Sequence, residues 1–222
     1  MKGAAIVLGA ALAAAVAAGS AGATNECRGL QICVPVAGPW VLAPSAAEVQ
    51  FQLGCPHRYI VAGLDAELST RGIDIGFRGA LGAPVNPGIT TSTSAVFVAR
   101  LVHRANAAAF RPHIGCIPAS GGGERYPTAF HPLPPAAPTM VELPVLTGTH
   151  RFIERCPAAK RLVSATHAIG FYSDAPPTAA LARSVTVAQT IRAASVRLTV
   201  HAELLEAVRA IVQVDLLCVA AA

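Results

Sequence analysis

Two histidines and an aspartate are the side chains whose types and spacing come nearest to a chemical site. His57 follows Cys55 by two positions and His113 precedes Cys116 by three, so a disulfide between these cysteines would bring both imidazoles near one bridge. With Asp65 they could serve as a general acid and base, or as the start of a metal site. Zinc needs three or four ligands, which favours the alternative that these are surface histidines. We therefore predict no catalytic residue, no metal and no cofactor.

Sequence signatures of enzymes are missing from the chain. It has no Gly-x-Ser-x-Gly elbow, no His-Glu-x-x-His pair and no phosphate-binding glycine loop. His201-Ala202-Glu203 matches the first half of the zinc deaminase signature, but the Pro-Cys-x-x-Cys half does not follow. An enzyme with an unrecognised site near His57 and His113 therefore ranks below a protein without catalytic activity.

The basic residues limit the charged partners that can be expected. The formal net charge is +5, which alone would suit an anionic partner. The basic side chains, Arg151, Arg155 and Arg161 among them, form no run or helical stripe, and single-strand binding would need aromatic residues interleaved with them. We therefore predict no nucleic-acid partner and assign the charge to solubility and weak surface attraction.

A cysteine followed by a proline occurs twice, each time in a similar context. The segment Phe51–Pro56 is echoed by Phe152–Pro157, and a further cysteine follows the first by 61 positions at Cys116 and by 62 at Cys218. Matching spacings of that length indicate an internal duplication. Phe51 and Phe152 are then expected to occupy equivalent buried positions, because each precedes its cysteine by the same interval.

Six cysteines allow 15 pairings, and sequence alone does not choose among them. The duplication favours Cys55–Cys116 and Cys156–Cys218, since each repeat should carry its own bridge, and it leaves Cys27–Cys33 as the third pair. A bridge that closes a loop of about 60 residues stabilises a fold by about 4 kcal/mol in the chain-entropy model. Zinc is the competing interpretation, and the lack of any Cys-x-x-Cys pair disfavours it.

The first residues predict export. Lys2 precedes the apolar run Ala4–Ala18, and Ala21-Gly22-Ala23 supplies the small residues expected before a cleavage site, which we place after Ala23. Leu204–Ala222 is also apolar, but three charged residues interrupt it, so no membrane span is expected after signal cleavage. Localisation is predicted to be secreted or extracytoplasmic, where cysteines oxidise to disulfides.

The remaining pattern predicts an all-β fold of two tandem antiparallel β-sandwich-like units, each with an internal disulfide. Val49–Leu53 alternates apolar with polar residues, as Ile211–Leu216 does in part, and Ala95–Val102 is rich in β-branched residues. Ala202–Val212 alone would fit an amphipathic helix, but the repeat argues for strands there. The predicted segments are a signal peptide at 1–23, a disulfide-pinned lead-in at 24–38, a first unit at 39–118, a Gly/Pro/Ala-rich linker at 119–138 and a second unit at 139–222.

A resemblance to a known group rests on the repeated motifs. The chain resembles exported proteins from high-GC bacteria that are built of duplicated Cys-Pro β-sandwich modules, mostly of unknown function. The resemblance covers most of the mature chain, and it implies that the Cys-Pro cysteine of a module pairs with a cysteine at the end of the last strand. The residues that carry it are Gly38-Pro39-Trp40, Cys55-Pro56, Cys116, Cys156-Pro157 and Cys218.

These observations favour an exported, non-catalytic structural or binding protein of the cell envelope or extracellular space, whose partner is unknown and could be an envelope or extracellular protein. A secreted inhibitor or small-ligand carrier that uses the loops 79–93 and 173–183 is an alternative. The enzyme near His57 and His113 is the other alternative.

Overall fold

The structure, a computed structural model, describes residues 25–45, 47–78, 93–102, 108–119, 139–192, 194–204 and 208–220. The predicted signal peptide at 1–23, nearly all of the predicted linker at 119–138 and nearly all of the loop at 79–93 lie outside these ranges. Within the described ranges, no helix has the length and hydropathy needed to cross a membrane.

The described chain is all-β apart from one short helix. The segment Ala202–Val212, whose local pattern fits a helix, instead ends one strand and begins another, as the repeat predicts. The elements are β1 (Val34–Ala37), β2 (Trp40–Leu42), β3 (Val49–Gly54), β4 (Tyr59–Leu68), β5 (Ile73–Arg78), β6 (Ser94–Leu101), β7 (Ala109–Pro118), β8 (Thr139–Val145), β9 (Gly148–Arg155), β10 (Lys160–Tyr172), α1 (Ala179–Arg183), β11 (Val185–Arg192), β12 (Ser195–Ala202) and β13 (Arg209–Ala220).

The largest sheet has seven strands and curls into a half-barrel. Its order is β1-β7-β2-β10-β13-β8, with β4 paired to β7 as well, and its pairings are antiparallel. β1 and β2 follow each other along β7, and Gly38 lies between them. A side chain at Gly38 would place its Cβ 2.7 Å from the ring of Pro112 on β7, so the close approach of this segment to β7 requires glycine there.

Two three-stranded sheets complete the fold, and they have the same internal order. The first sheet has the order β3-β6-β5 and the second has the order β9-β12-β11. In each sheet the first-named strand ends just before a Cys-Pro pair, and the central strand pairs with a neighbour on both of its sides. Phe51 lies opposite Phe97 on β6, and Phe152 lies opposite Leu198 on β12. Phe51 is fully buried, whereas Phe152 is partly buried against the core of its own sheet.

The two small sheets pack on opposite faces of the large sheet. Successive side chains of a strand point to opposite faces, and on β13 Ile211 belongs to the core under β3-β6-β5, whereas Val212 and Val214 belong to the core under β9-β12-β11. β13 is therefore buried on both faces over 211–216.

β2 joins the two halves of the large sheet. Val41 pairs with Phe110 of β7 on one side and with Gly170 of β10 on the other. Trp40, the only tryptophan of the chain, lies opposite Phe171 and is 3% exposed. The two halves thus share one continuous sheet.

Three disulfides connect Cys27 to Cys33, Cys55 to Cys116, and Cys156 to Cys218, which are the pairs that the repeat spacing favours. Each of the two long bridges joins the residue after a Cys-Pro strand, β3 or β9, to the last long strand of the same half, β7 or β13. No bridge crosses between the halves among these pairs.

Candidate functional site

His113 lies in a buried cluster of acidic side chains on the face of β7 that points away from the first core. It stands directly opposite Asp65 of β4, and its side chain is 8% exposed. Its Nδ1 atom lies 3.8 Å from Glu26 Oε1. Its Nε2 atom lies 3.0 Å from Glu67 Oε1, at an angle that gives no hydrogen bond. A protonated imidazole here would form ion pairs with both glutamates.

The N-terminal segment closes this cluster from outside. Gly63 and Gly115 leave the space that the backbone of Glu26 fills, because a Cβ at either glycine would overlap the Glu26 carbonyl oxygen. The amide of Asn25 donates a hydrogen bond of 2.6 Å to Asp65 Oδ2, which fixes the segment at its start. The cluster therefore fastens the predicted lead-in to the large sheet.

His57 and His113 are not brought together. His57 is exposed in the turn before β4, whose first residue, Tyr59, pairs with Pro118. His113 lies five residues back along β7 from Pro118, which is about 17 Å at strand geometry. The expectation that a Cys55–Cys116 bridge would place both imidazoles together is wrong, because Cys116 lies between them. In the described ranges, no three His, Cys, Asp or Glu side chains are arranged to hold a metal ion.

An open cavity of about 310 Å³ lies between β2, β10 and α1. Its walls are mostly apolar, with Leu42, Val49 and Leu101 among them, and His167 is a polar group in the lining. Because Gln189 donates through Nε2 to the Ala165 carbonyl (2.7 Å), its Oε1 accepts from His167 Nδ1 (2.8 Å). Nδ1 is therefore the nitrogen of this ring that donates a hydrogen bond.

The predicted loop 173–183 contributes to that cavity in part. Its second half is the helix α1, which Thr178 caps by accepting a hydrogen bond from the Leu181 amide. Ala182 of this helix lines the cavity. The other predicted binding loop, 79–93, lies outside the described residues except for its last position.

Two buried polar side chains on β13 face the first half of the molecule. Gln213 accepts a hydrogen bond from the Gln52 amide (2.5 Å) and donates one to the Gln52 carbonyl (2.9 Å), so its side chain replaces a strand at the free edge of β3. Asp215 is 4% exposed, and neither of its oxygens has a hydrogen-bond partner in the described structure. Burial raises the pKa of this carboxyl to about 7.

The outer face of the sheet β9-β12-β11 carries a dense group of arginines, and we call it the arginine face. The alternating burial of these strands places the residues of its inner face in the second core and leaves those of its outer face largely open to solvent. The arginine face consists of Thr149, Arg151, Ile153 and Arg155 of β9, Ser195, Arg197, Thr199 and His201 of β12, and Thr186, Ala188, Thr190 and Arg192 of β11.

Four arginines and no acidic residue occupy these twelve positions. Among the described residues, none of the four guanidinium groups makes a salt bridge with a carboxylate. Only the far end of the face, where His201 Nε2 lies 3.5 Å from Glu203 Oε1, meets a carboxylate. In the sequence this group forms neither a run nor a helical stripe, so the basic residues look scattered. Arg151 and Arg155 are separated by an even number of positions, which puts them on one face of a strand, and this is the signal that could have revealed the group.

Comparison of the chain with protein-family models, curated proteins and solved structures finds no match.

Proposed function

We propose that the protein is an exported, non-catalytic binding protein of the cell envelope or extracellular space, and that the arginine face is its binding surface. The observation that carries the proposal is the concentration of four arginines on one open sheet face, where no carboxylate of the described residues forms a salt bridge with them. Charge left unpaired on a surface favours association with an oppositely charged partner.

We propose further that the chain is built of two tandem β-sandwich-like units, a build that would supply a rigid scaffold for this surface. The register of the two small sheets agrees at their ends, where Gly54 lies opposite Ser94 and Arg155 lies opposite Ser195. Gly54 and Arg155 each immediately precede the cysteine of a Cys-Pro pair. The repeated spacing in the sequence therefore coincides with repeated strand pairing, which is the expected result of a duplication.

Export is supported by the cysteines. All six are paired in the described chain, and paired structural cysteines are typical of oxidising compartments. A non-catalytic role is supported by the position of His113, whose cluster is covered by the backbone of Glu26.

A small-ligand carrier is the second candidate, because the cavity beside His167 has about 310 Å³, the lower end of the range for small-molecule sites. Native mass spectrometry of the secreted protein tests it. A carrier should leave the cell with a bound small molecule, and replacing the wall residue Leu42 with tryptophan should displace that molecule.

The leading proposal is tested by expressing the full chain in the organism that makes it. Mature protein in the envelope or medium that begins at Thr24, and that is released from isolated envelope material by salt, is the expected result. Intact residues 1–23 on a protein retained in the cytosol would contradict export, and mature protein that shows no salt-sensitive association with any envelope or extracellular material would contradict binding.

A further inference from the structure

The arginines of the arginine face are spread over all three strands and are not gathered at one point. Strand geometry places neighbouring strands about 4.8 Å apart and alternate residues of a strand about 6.8 Å apart. Arg155 and Arg192 occupy one row across the three strands, and Arg197 occupies the next row on the central strand. Their Cβ atoms are therefore about 7–10 Å from one another. Separate anionic groups, repeated along one partner, match this spacing.

The chemistry of the side chains favours phosphate as the repeated group. The face has four arginines and no lysine, and the planar guanidinium group binds phosphate oxygens through two parallel hydrogen bonds. Five hydroxyl side chains surround them and can bond to neutral oxygens of the same partner: Thr149, Thr186, Thr190, Ser195 and Thr199.

The face lacks large aromatic side chains on which bases could stack. Its twelve positions include no Phe, Tyr or Trp, and stacking on such side chains supplies much of the affinity of proteins for single-stranded nucleic acid. A phosphodiester chain whose repeating unit is a small polyol presents phosphates and hydroxyls without bases, which corresponds to what the face offers.

The corresponding face of the first half provides an internal comparison. Aligned through the strand pairing, Arg151, Ile153 and Arg155 correspond to Gln50, Gln52 and Gly54, while Arg197 and Thr199 correspond to Val96 and Val98. The two valines are buried. Arg100, on the same face of β6, forms an ion pair with Asp74 at 3.3 Å. A group of four arginines is therefore particular to β9-β12-β11 and does not follow from the fold.

We infer that the arginine face binds a linear polyol-phosphate polymer, with one phosphate at each of Arg151, Arg155, Arg192 and Arg197. The inference rests on the proposed function, for which it names the partner. For flexible single-stranded polyphosphates, the logarithm of affinity falls by about 0.7 per phosphate contact with each tenfold increase in salt. Four contacts then predict about 50-fold weaker binding at 200 mM than at 50 mM salt.

The test measures binding of the oxidised mature protein to a synthetic oligo(glycerol phosphate) by calorimetry at these two salt concentrations. The variant Arg155→Gln, Arg192→Gln, Arg197→Gln should bind at least tenfold more weakly at 50 mM salt. With one contact left, its affinity should change only about threefold between the two salt concentrations. The control Arg28→Gln, Arg71→Gln, Arg183→Gln removes the same charge from exposed positions elsewhere and should bind within about twofold of the natural protein.

Several results would overturn the inference. The natural protein could fail to bind the oligo(glycerol phosphate), or both triple variants could weaken its binding equally. The protein could also bind polyglutamate of the same charge as tightly as it binds the oligo(glycerol phosphate). Tighter binding to oligothymidylate than to the oligo(glycerol phosphate) would indicate a nucleic-acid surface. The thermal unfolding temperature of each variant shows that a loss of binding is not a loss of folding. If the protein associates with the envelope but does not bind the probe, the inference fails and the proposed function stands. If the protein binds the probe but is never exported, only the proposed function is contradicted.

Discussion

Asp215 should make the protein less stable as the pH rises from 4 to 8. Burial raises the pKa of its carboxyl from an ordinary 3.8 to about 7, so the folded protein holds this proton more tightly than the unfolded chain does. The stabilisation that results is fully present below pH 3.8 and is lost as the pH rises through 7. The gap between the two values corresponds to about 4 kcal/mol of unfolding free energy.

The variant Asp215→Asn removes this ionisation and preserves the shape of the side chain. Urea unfolding, followed by the fluorescence of the buried Trp40, gives the free energy of unfolding of both proteins at pH 4 and pH 8. The variant should gain about 4 kcal/mol relative to the natural protein between these two pH values. A constant cost of the new amide cancels in this comparison because it is present at both pH values.

Asp174→Asn is the matched control, since Asp174 is exposed. It should leave the pH dependence of the unfolding free energy unchanged. If the unfolding free energies of Asp215→Asn and the natural protein differ by the same amount at pH 4 and at pH 8, the reasoning is wrong. Asp215 then does not bind its proton more tightly in the folded state.

Three further perturbations test contacts that hold the fold together. Gln213→Leu leaves the amide and carbonyl of Gln52 buried without partners and should cost about 3 kcal/mol of unfolding free energy in urea. Gly115→Ala should displace the segment around Glu26 and make the buried His113 beneath it reactive towards diethyl pyrocarbonate. Gly76→Ala, whose new Cβ meets no atom within 4 Å, should leave His113 unreactive. Replacing Cys156 and Cys218 with alanine removes their disulfide and should lower the unfolding free energy by about 4 kcal/mol. Unchanged urea midpoints would contradict the role given to that bridge.

The sequence predicted the strands because their residues face one buried side and one solvated side. The alternation over Val49–Leu53 predicted β3, and the Cys-Pro repeat located its counterpart β9. The same rule failed on β13. The alternation over Ile211–Leu216 suggests one polar face, yet both faces are buried, because a second sheet packs where solvent would be expected. Burial on both sides depends on contacts between distant segments, and a local period carries no information about them.

The site residues were harder to predict for a related reason. The His57–His113 hypothesis assumed that a disulfide gathers its sequence neighbours, but residues on either side of a bridge can extend in opposite directions along their strands. The group of arginines was missed because its members come from three strands. Arg155 and Arg197 are 42 positions apart in sequence and become neighbours only through the pairing of β9 with β12. A register of this kind follows from the packing of the whole sheet.

The contrast between the two halves suggests how one fold can serve two purposes. On β3 the backbone of Gln52 is bonded to Gln213 of the other half, and the outward valines of β6 are buried, so this small sheet takes part in the assembly of the molecule. The equivalent positions of β9 and β12 have no such internal partner among the described residues, and they carry Arg151, Arg155 and Arg197 in the open. If one copy of a duplicated unit supplies the internal contacts, the outer face of the other is free to vary in chemistry without loss of the core. A polar replacement at Val96 should therefore destabilise the protein, whereas Arg197→Gln, its counterpart by register, should change binding and leave the unfolding temperature in place.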